Sequence, residues 1–448
     1  MKCSLFIIGI LCVAASCSDN GDQVHQHLPL KKKYAPKVLK EDYEQLIRVI
    51  KKNHPALYAY TPREELDELM KLQFEKITDS LSISDFYNLV VPIVSKIGCG
   101  HTNLNLPDWV WKDFTVAILP FNLFFHDRRA YITKDYTDQE TLGVGTEILS
   151  IDGQNIHSLL EEMEGNISTD GDNASAKREM INQNFFQLLA RQEDFPPEYK
   201  ISFRRSQKDS ILDAHISAMP SQAYFDLQPK PDSLLQFEID SPRSTAVLTI
   251  RSFGFYERVK EFEAFIDDSF EKMRKAKVDH LILDLRNNGG GDPFCASYLM
   301  TYLCKEPVVY FSEPYPPYET LAKPMQLAKN HFSGKLYTLI DGGCFSTTGH
   351  LCALLRYHHI GEFIGTETGG TYTCNDNSQT YRLINTGILA RVARGTFSVA
   401  VHGIPRFSGI KPDYEVQQSL QDALMNTDTV KSFVLSRIGQ SVISKTNN

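Results

Sequence analysis

The stretch that decides the fold is "DHLILDLRNNGGGDP", Asp279–Pro293. Leu281–Leu285 is a near-continuous apolar run, short enough to be a strand and apolar enough to be covered on both faces. It runs directly into three glycines, and Pro293 stands where the first turn of a helix would follow. Outward from it, "STAVLTIRSF" reads as a strand and "ERVKEFEAFIDDSFEKMRKAK" as a long amphipathic helix. On the other side come a helix "FCASYLMTYLC", strands "PVVYFS" and "KLYTLID", a helix "LCALLRYH" and a strand "EFIGT". That alternation implies a layered sheet with helices on its faces. The glycines let a ligand approach the backbone and free N–H groups to meet it. A turn of this kind can hold an oxyanion. It is not a phosphate loop, because no G-K-[ST] follows the glycines and the G-x-G-x-x-G spacing fails.

The chain around this core divides by pattern. "QPKPDS" (Gln228–Ser233) is a proline-broken linker. Before it, short strands, the tight turn of "GVGTEILSIDGQNI", a helix "HSLLEEMEGN", a helix "KREMINQNFFQLLARQ" and a closing hairpin "EYKISFRRSQKDSILDAHISA" follow in the order of a PDZ-like domain. Earlier still, "KEDYEQLIRVIKKNHP", "REELDELMKLQFEKI" and "SISDFYNLVVPIVSKI" have helical spacing, with Ser82 or Ser84 as an N-cap, and end in "GCGHTNLNL" (Gly98–Leu106). The expected organisation is α+β and multidomain: a signal at 1–16, a tether at 17–37, a helical N-terminal domain at 38–112, a PDZ-like β domain at 113–225, a layered β/α core at 226–436 and a tail at 437–448. The 448 residues carry a formal net charge of −8, with no basic stripe to suggest nucleic-acid binding.

The first residues are read as a targeting segment. Lys2 is followed by an apolar run, Leu5–Ala15, too short to span a membrane. Ala14-Ala15-Ser16-Cys17 resembles a bacterial lipoprotein signal, in which Cys17 would take the lipid. The expectation is a protein of the bacterial cell envelope, held to the membrane by that lipid on the periplasmic or outer-membrane side. Of nine cysteines, six lie beyond the leader, and none forms a C-x-x-C pair, so zinc and redox motifs are unsupported. No metal or cofactor is called for.

A second stretch, "DGGCFSTTGH" (Asp341–His350), poses the chemical question. Ser346 follows a strand and two glycines and precedes a helix. A serine there is ordinarily an N-cap. The same place would also expose its hydroxyl, with the Thr347 N–H and the positive helix end beside it. Local sequence leaves both readings open. A serine nucleophile needs a base. His101, in "GCGHTN" at the close of the helical segment, ranks first, His350 second and His402 third.

Taken in order, "HLILDLRNNGGG", "GGCFSTTGHLCALL", "GEFIGTETGGTY" and "GIKPDYEV" resemble the C-terminal-processing (tail-specific) serine peptidases. The "GCGHTNL" segment followed by a PDZ-like domain fits the His-dependent branch with tricorn-like and interphotoreceptor retinoid-binding protein-like members. The resemblance covers roughly Lys40 to Val416. It implies a crotonase/Clp-like core and carries the nucleophile onto Ser346. The better-known branch places a lysine 25 residues further on, and here that residue is Thr371. A Ser/Lys pair is therefore excluded, and the resemblance carries the base onto His101. Backbone N–H groups of Thr347 and of the glycine run, Gly290 and Gly291 foremost, would bind the oxyanion. The late glutamate of the tricorn-like branch has no counterpart in "HGIPRFSGIKPD" before Asp413. Glu367 is the acid left near the site; otherwise a Ser–His dyad is oriented by a backbone carbonyl or by Asn103.

The resulting expectation is a cell-envelope serine endopeptidase acting on peptide or protein substrates, near C-termini if its PDZ-like domain binds them at Leu119-Pro120-Phe121. The alternative, from another class, is a catalytically silent peptide- or lipid-binding protein on the same scaffold.

Overall fold

The computed structural model describes residues 32–107, 110, 117–137, 141–192, 196–228 and 233–446. The leader, Cys17 and most of the tether lie outside them. No helix among the described residues is long and apolar enough to cross a membrane.

The core is a six-stranded sheet in the order Leu235–Asp240, Thr245–Ile250, His280–Asp284, Lys335–Ile340, Glu362–Gly365, Tyr414–Glu415. The first pair is antiparallel and the rest are parallel. Thr245–Ile250 and His280–Asp284 are buried along their whole length, as the apolar runs require. Alternate residues serve opposite faces. Leu248, Leu281 and Leu283 pack under helices Val259–Lys275, Pro293–Leu303 and Thr347–Tyr357 through Phe262, Leu299 and Leu351. Val247, Ile282 and Leu339 face the other way and meet Val430, Val434 and Ile438 of a C-terminal helix, Thr429–Thr446.

That last helix corrects the expected end of the core at 436 and tail at 437–448. Its apolar residues recur every four positions and cover a sheet face that would otherwise be bare. Arg286 fastens it by a two-pronged contact to Asp428 (2.9 and 2.6 Å), and also binds Asp284. The tether also ends earlier than 37, since the first helix begins at Pro36. "PVVYFS" is not a strand. Val309 and Phe311 make only isolated bridges, the first opposite Pro324, which has no N–H to extend a ladder.

The PDZ-like unit is an antiparallel sheet, Phe121–His126, Arg129–Asp135, Glu147–Ile151, Glu198–Arg204, Leu212–Ser217. Helices Ile156–Asn166 and Ala174–Gln192 pack on it. The second lies against the core, where Asn173 Nδ2 donates to Thr368 O at 2.8 Å and Ser175 Oγ is 3.1 Å from Thr366 Oγ1.

The N-terminal helices Pro36–Asn53, Arg63–Glu75 and Ile83–Lys96 form a bundle, the third opened by a capping box between Ser82 and Asp85. The bundle is not closed by its own residues. A short strand, Asn103–Asn105, pairs antiparallel with Leu389–Val392, whose other neighbour is Gln379–Arg382. Leu383, Ile388, Ala390 and Val392 of that hairpin enter the bundle's apolar core. Asp42, fully buried, accepts hydrogen bonds from Asn385 N, Thr386 N and Thr386 Oγ1 at 2.7–2.9 Å. The first and last thirds of the chain thus share one hydrophobic core.

Candidate active site

Ser346 is not a helix cap. Its side chain makes no capping hydrogen bond, and its backbone stands at φ 55°, ψ −124°. That conformation is strained for any residue with a Cβ and is the kind held in place by surrounding structure at functional sites. A sharp strand–turn–helix of this sort pushes a serine hydroxyl out in front of the turn. The glycine run makes it possible. Gly290 lies so close that a Cβ there would stand 2.8 Å from both Phe345 O and Ser346 Cβ.

His101 arrives from the turn between Ile83–Lys96 and Asn103–Asn105. Its Nε2 lies 3.1 Å from Ser346 Oγ. Both residues are buried, at 5 % and 9 % exposure. The imidazole leans on the Phe345 ring, with centroids 4.6 Å apart. The Gly100 N–H next to it is fixed by Asp170 Oδ1 at 2.9 Å. Burial pushes the His101 pKa below its ordinary value, Asp376 works against that, and Arg391 adds to it. Burial therefore favours the neutral ring.

The acid beside His101 is Asp376, from the strand Thr373–Asp376, with Oδ2 3.5 Å from Nε2. Burial raises its carboxyl, but His101, Arg391 and Ser378 together outweigh that and hold it below the usual carboxylate range. Arg391 approaches Oδ1 at 3.4 Å, and Ser378 Oγ lies within reach of both Asp376 Oδ1 (2.8 Å) and His101 O (3.2 Å). Asp376 sits on the serine side of the ring. Nδ1 has no hydrogen-bond partner among the described residues.

The residues offered by sequence for this role do not reach His101. Asn103 turns its amide back to Gly100 O at 3.3 Å. Glu367 accepts the Gly409 N–H at 2.7 Å and anchors that loop instead. Asp376 was missed because it is one of three acids between Ser346 and Asp413, and nothing local marks it out. His350 is buried beside Tyr310 and Phe311, and burial, then His101, push its pKa down to about 3. His402 is bound to Tyr357 Oη, 2.8 Å from its Nδ1. Thr371 Oγ1 donates to Pro405 O at 3.3 Å.

Of the three amides expected to face an oxyanion, one is occupied. Gly290 N–H donates to Asn288 Oδ1 at 2.9 Å. The N–H groups of Thr347 and Gly291 have no acceptor among the described residues. These two positions are tied together, since Thr347 Oγ1 donates to Gly291 O at 2.6 Å. The arrangement can therefore supply a serine hydroxyl, an imidazole against it and two free backbone donors.

Residues 244–416 match the family model of peptidase family S41, and residues 115–220 match a PDZ domain. The chain carries the peptidase domain of family S41. It is a serine-type peptidase, and the match spans both the glycine run and Ser346. Among solved structures it is similar to mature CPAF complexed with lactacystin, at 14 % identity and a TM-score of 0.66, covering 92 % of this chain and all of that one. Mature CPAF alone gives 13 % identity and a TM-score of 0.63, covering 87 % and 94 %. At such identity the likeness is one of fold. The photosystem II D1 C-terminal processing protease matches at 11 % identity with a TM-score of 0.44, covering 86 % and 96 %. No curated protein matches the chain in sequence.

Proposed function

We propose that this S41 peptidase is a cell-envelope serine endopeptidase working through a Ser346 acyl-enzyme, with His101 as general base. The observation that carries the reading is the 3.1 Å approach of His101 Nε2 to a serine held in a strained turn. Neutral Nε2 takes the hydroxyl proton as Oγ attacks a peptide carbonyl, forming the C–O bond of a tetrahedral intermediate. The Gly291 and Thr347 amides receive the oxyanion, each contributing about 3–4 kcal/mol to the barrier reduction. The imidazolium then sits against Asp376 Oδ2, which stabilises the positive charge rather than fixing the tautomer. Nε2–H passes to the leaving amine as the C–N bond breaks, and water clears the ester by the same route in reverse.

Preference for segments near C-termini rests on the PDZ-like sheet and its edge strand Phe121–His126, whose outer side is met by helix Ala174–Gln192 where Phe125 N–H donates to Asn182 Oδ1 at 2.9 Å, so a peptide would add beside that helix. Lipid anchoring rests on the Leu5–Ala15 run before Cys17. A fluorophosphonate probe tests the chemistry. Wild type should label, and Ser346→Ala and His101→Ala should not. A folded wild-type chain that stays unlabelled would refute the proposal and favour a silent binding protein. Metabolic labelling with palmitate, lost in Cys17→Ser, tests the anchor.

A further inference from the structure

The loop carrying the free Gly291 amide and the loop carrying Ser346 are joined through a single carboxylate. Asp341 Oδ1 accepts the Asn287 N–H at 2.9 Å and the Gly343 N–H at 2.9 Å. The first bond crosses from the end of strand His280–Asp284 to the end of strand Lys335–Ile340; the second shapes the turn toward Ser346. The loops meet so closely that a Cβ on Gly343 would lie 2.7 Å from Asn287 Cα. Asn287 is itself held at φ 59°.

The other face of Asp341 looks toward the PDZ-like domain. With its amide nitrogen turned to the acids, Asn287 donates to Glu179 Oε1 at 2.8 Å and to Asp341 Oδ2 at 3.3 Å; turned the other way, its Oδ1 accepts from Gln183 Nε2 of the same helix, so either orientation ties the loop to Ala174–Gln192. Glu179 belongs to helix Ala174–Gln192. The cluster lines a cleft of about 790 Å³ between that helix and the core. Arg178 and Arg286 attract Glu179, Arg286 attracts Asp341, and Asp284 repels it. Burial first, and then Asp341, push Glu179 up to about 7. None of these groups touches Ser346, His101 or the free amides, and the catalytic steps make no use of them.

We propose that Asp341 is a positioning residue of the active site: by holding the Asn287 and Gly343 amides on one oxygen it sets the spacing between the Gly291 and Thr347 donors, and through Asn287 it ties that spacing to Glu179 of the PDZ-like helix. The proposal rests on Ser346 being the nucleophile. It concerns transition-state geometry, so its signature is a loss of maximal rate with little change in binding.

The test is the saturation kinetics of fluorophosphonate labelling on the full chain, together with thermal unfolding. Asp341→Ala should lower the maximal labelling rate about 10- to 100-fold, the scale of an active-site group misplaced by about 1 Å, with half-saturation within about twofold. Asp341→Asn keeps a carbonyl that accepts both N–H groups and should recover to within about threefold of wild type. Asp341→Ser keeps a bond to its own turn but cannot span to Asn287, and should behave like alanine even if Asp341→Ala fails to fold. Wild-type rates in Asp341→Ser, a loss confined to half-saturation, or an asparagine variant as slow as serine would each overturn the proposal. An unlabelled wild type would instead sink the Ser346 assignment, and the positioning role with it.

Discussion

Adding one methyl group at Gly290 tests the site sharply. Gly290 stands at φ 100°, where a residue with a Cβ is strained by about 1–3 kcal/mol. Its Cβ would also fall 2.8 Å from Phe345 O and Ser346 Cβ and 2.9 Å from Thr347 N. Two of those three atoms are backbone, so the strain is relieved only by moving the nucleophile turn or the glycine loop. A displacement on the order of 1 Å costs about 100-fold in rate, or about 2.7 kcal/mol of barrier. Gly290→Ala should therefore reduce fluorophosphonate labelling about 100-fold and lower Tm by several degrees. Gly289, next in sequence, has nothing within 4 Å of a built Cβ, and Gly289→Ala should keep the wild-type Tm. Equal stability and equal labelling in Gly290→Ala and wild type would refute the close packing of the glycine run on Ser346.

Ser346→Gly should abolish labelling yet raise stability by about 1 kcal/mol or more, because glycine relieves the φ 55° strain; a lowered Tm by calorimetry would contradict the strained turn. The acid limb of the labelling rate should lie below pH 6.5, since burial depresses His101 and only the neutral ring is a base. Asp376→Asn removes the group that raises the His101 pKa, so the limb should move to lower pH while the plateau rate falls; a limb moved upward would exclude Asp376 as the partner. Asp170 is pushed up to about 7 by burial, opposed by the Gly100 N–H bond and aided by Asp376, so its folded pKa exceeds its unfolded one. Its contribution is present below the unfolded pKa near 3.9 and is lost as pH rises through 7. Asp170→Asn, which keeps the acceptor for Gly100, should gain Tm relative to wild type between pH 5 and pH 8, and a pH-independent difference would refute the assignment.

How much of this was legible in the sequence varied with range. The buried strand before the glycines, the long helix Val259–Lys275 and the PDZ-like strand order were written in local periodicity, and the structure follows them. Ser346 was undecided locally, because a cap and a nucleophile occupy the same place; what separates them is a backbone torsion that no side-chain pattern encodes. His101 ranked first from its place in a glycine-bounded turn, and the resemblance then carried the base onto it; a histidine in such a turn has no periodic signature. Asp376 was invisible for a different reason. Its role comes from the pairing of Thr373–Asp376 with Gly395–Ser398 and from Arg391 behind it, contacts made only when the hairpin folds. The occupied Gly290 amide was equally hidden, being set by the rotamer of Asn288. The C-terminal helix was legible in principle, from Val430, Val434 and Ile438, but its apolar stripe is too narrow to stand out from a polar tail.

The strand exchange between Asn103–Asn105 and Leu389–Val392 has a consequence in the order of synthesis. A ribosome releases the bundle and His101 first, the nucleophile turn some 245 residues later, and the hairpin that closes the bundle later still. Contacts of such sequence separation form late and slowly. An unfinished chain holds a base without a serine, then a serine without the sheet that steadies its base. The hydrolytic centre is therefore incomplete until the hairpin ending at Val392 has been made, and any truncation short of Val392 leaves Asn103–Asn105 without its full partner strand.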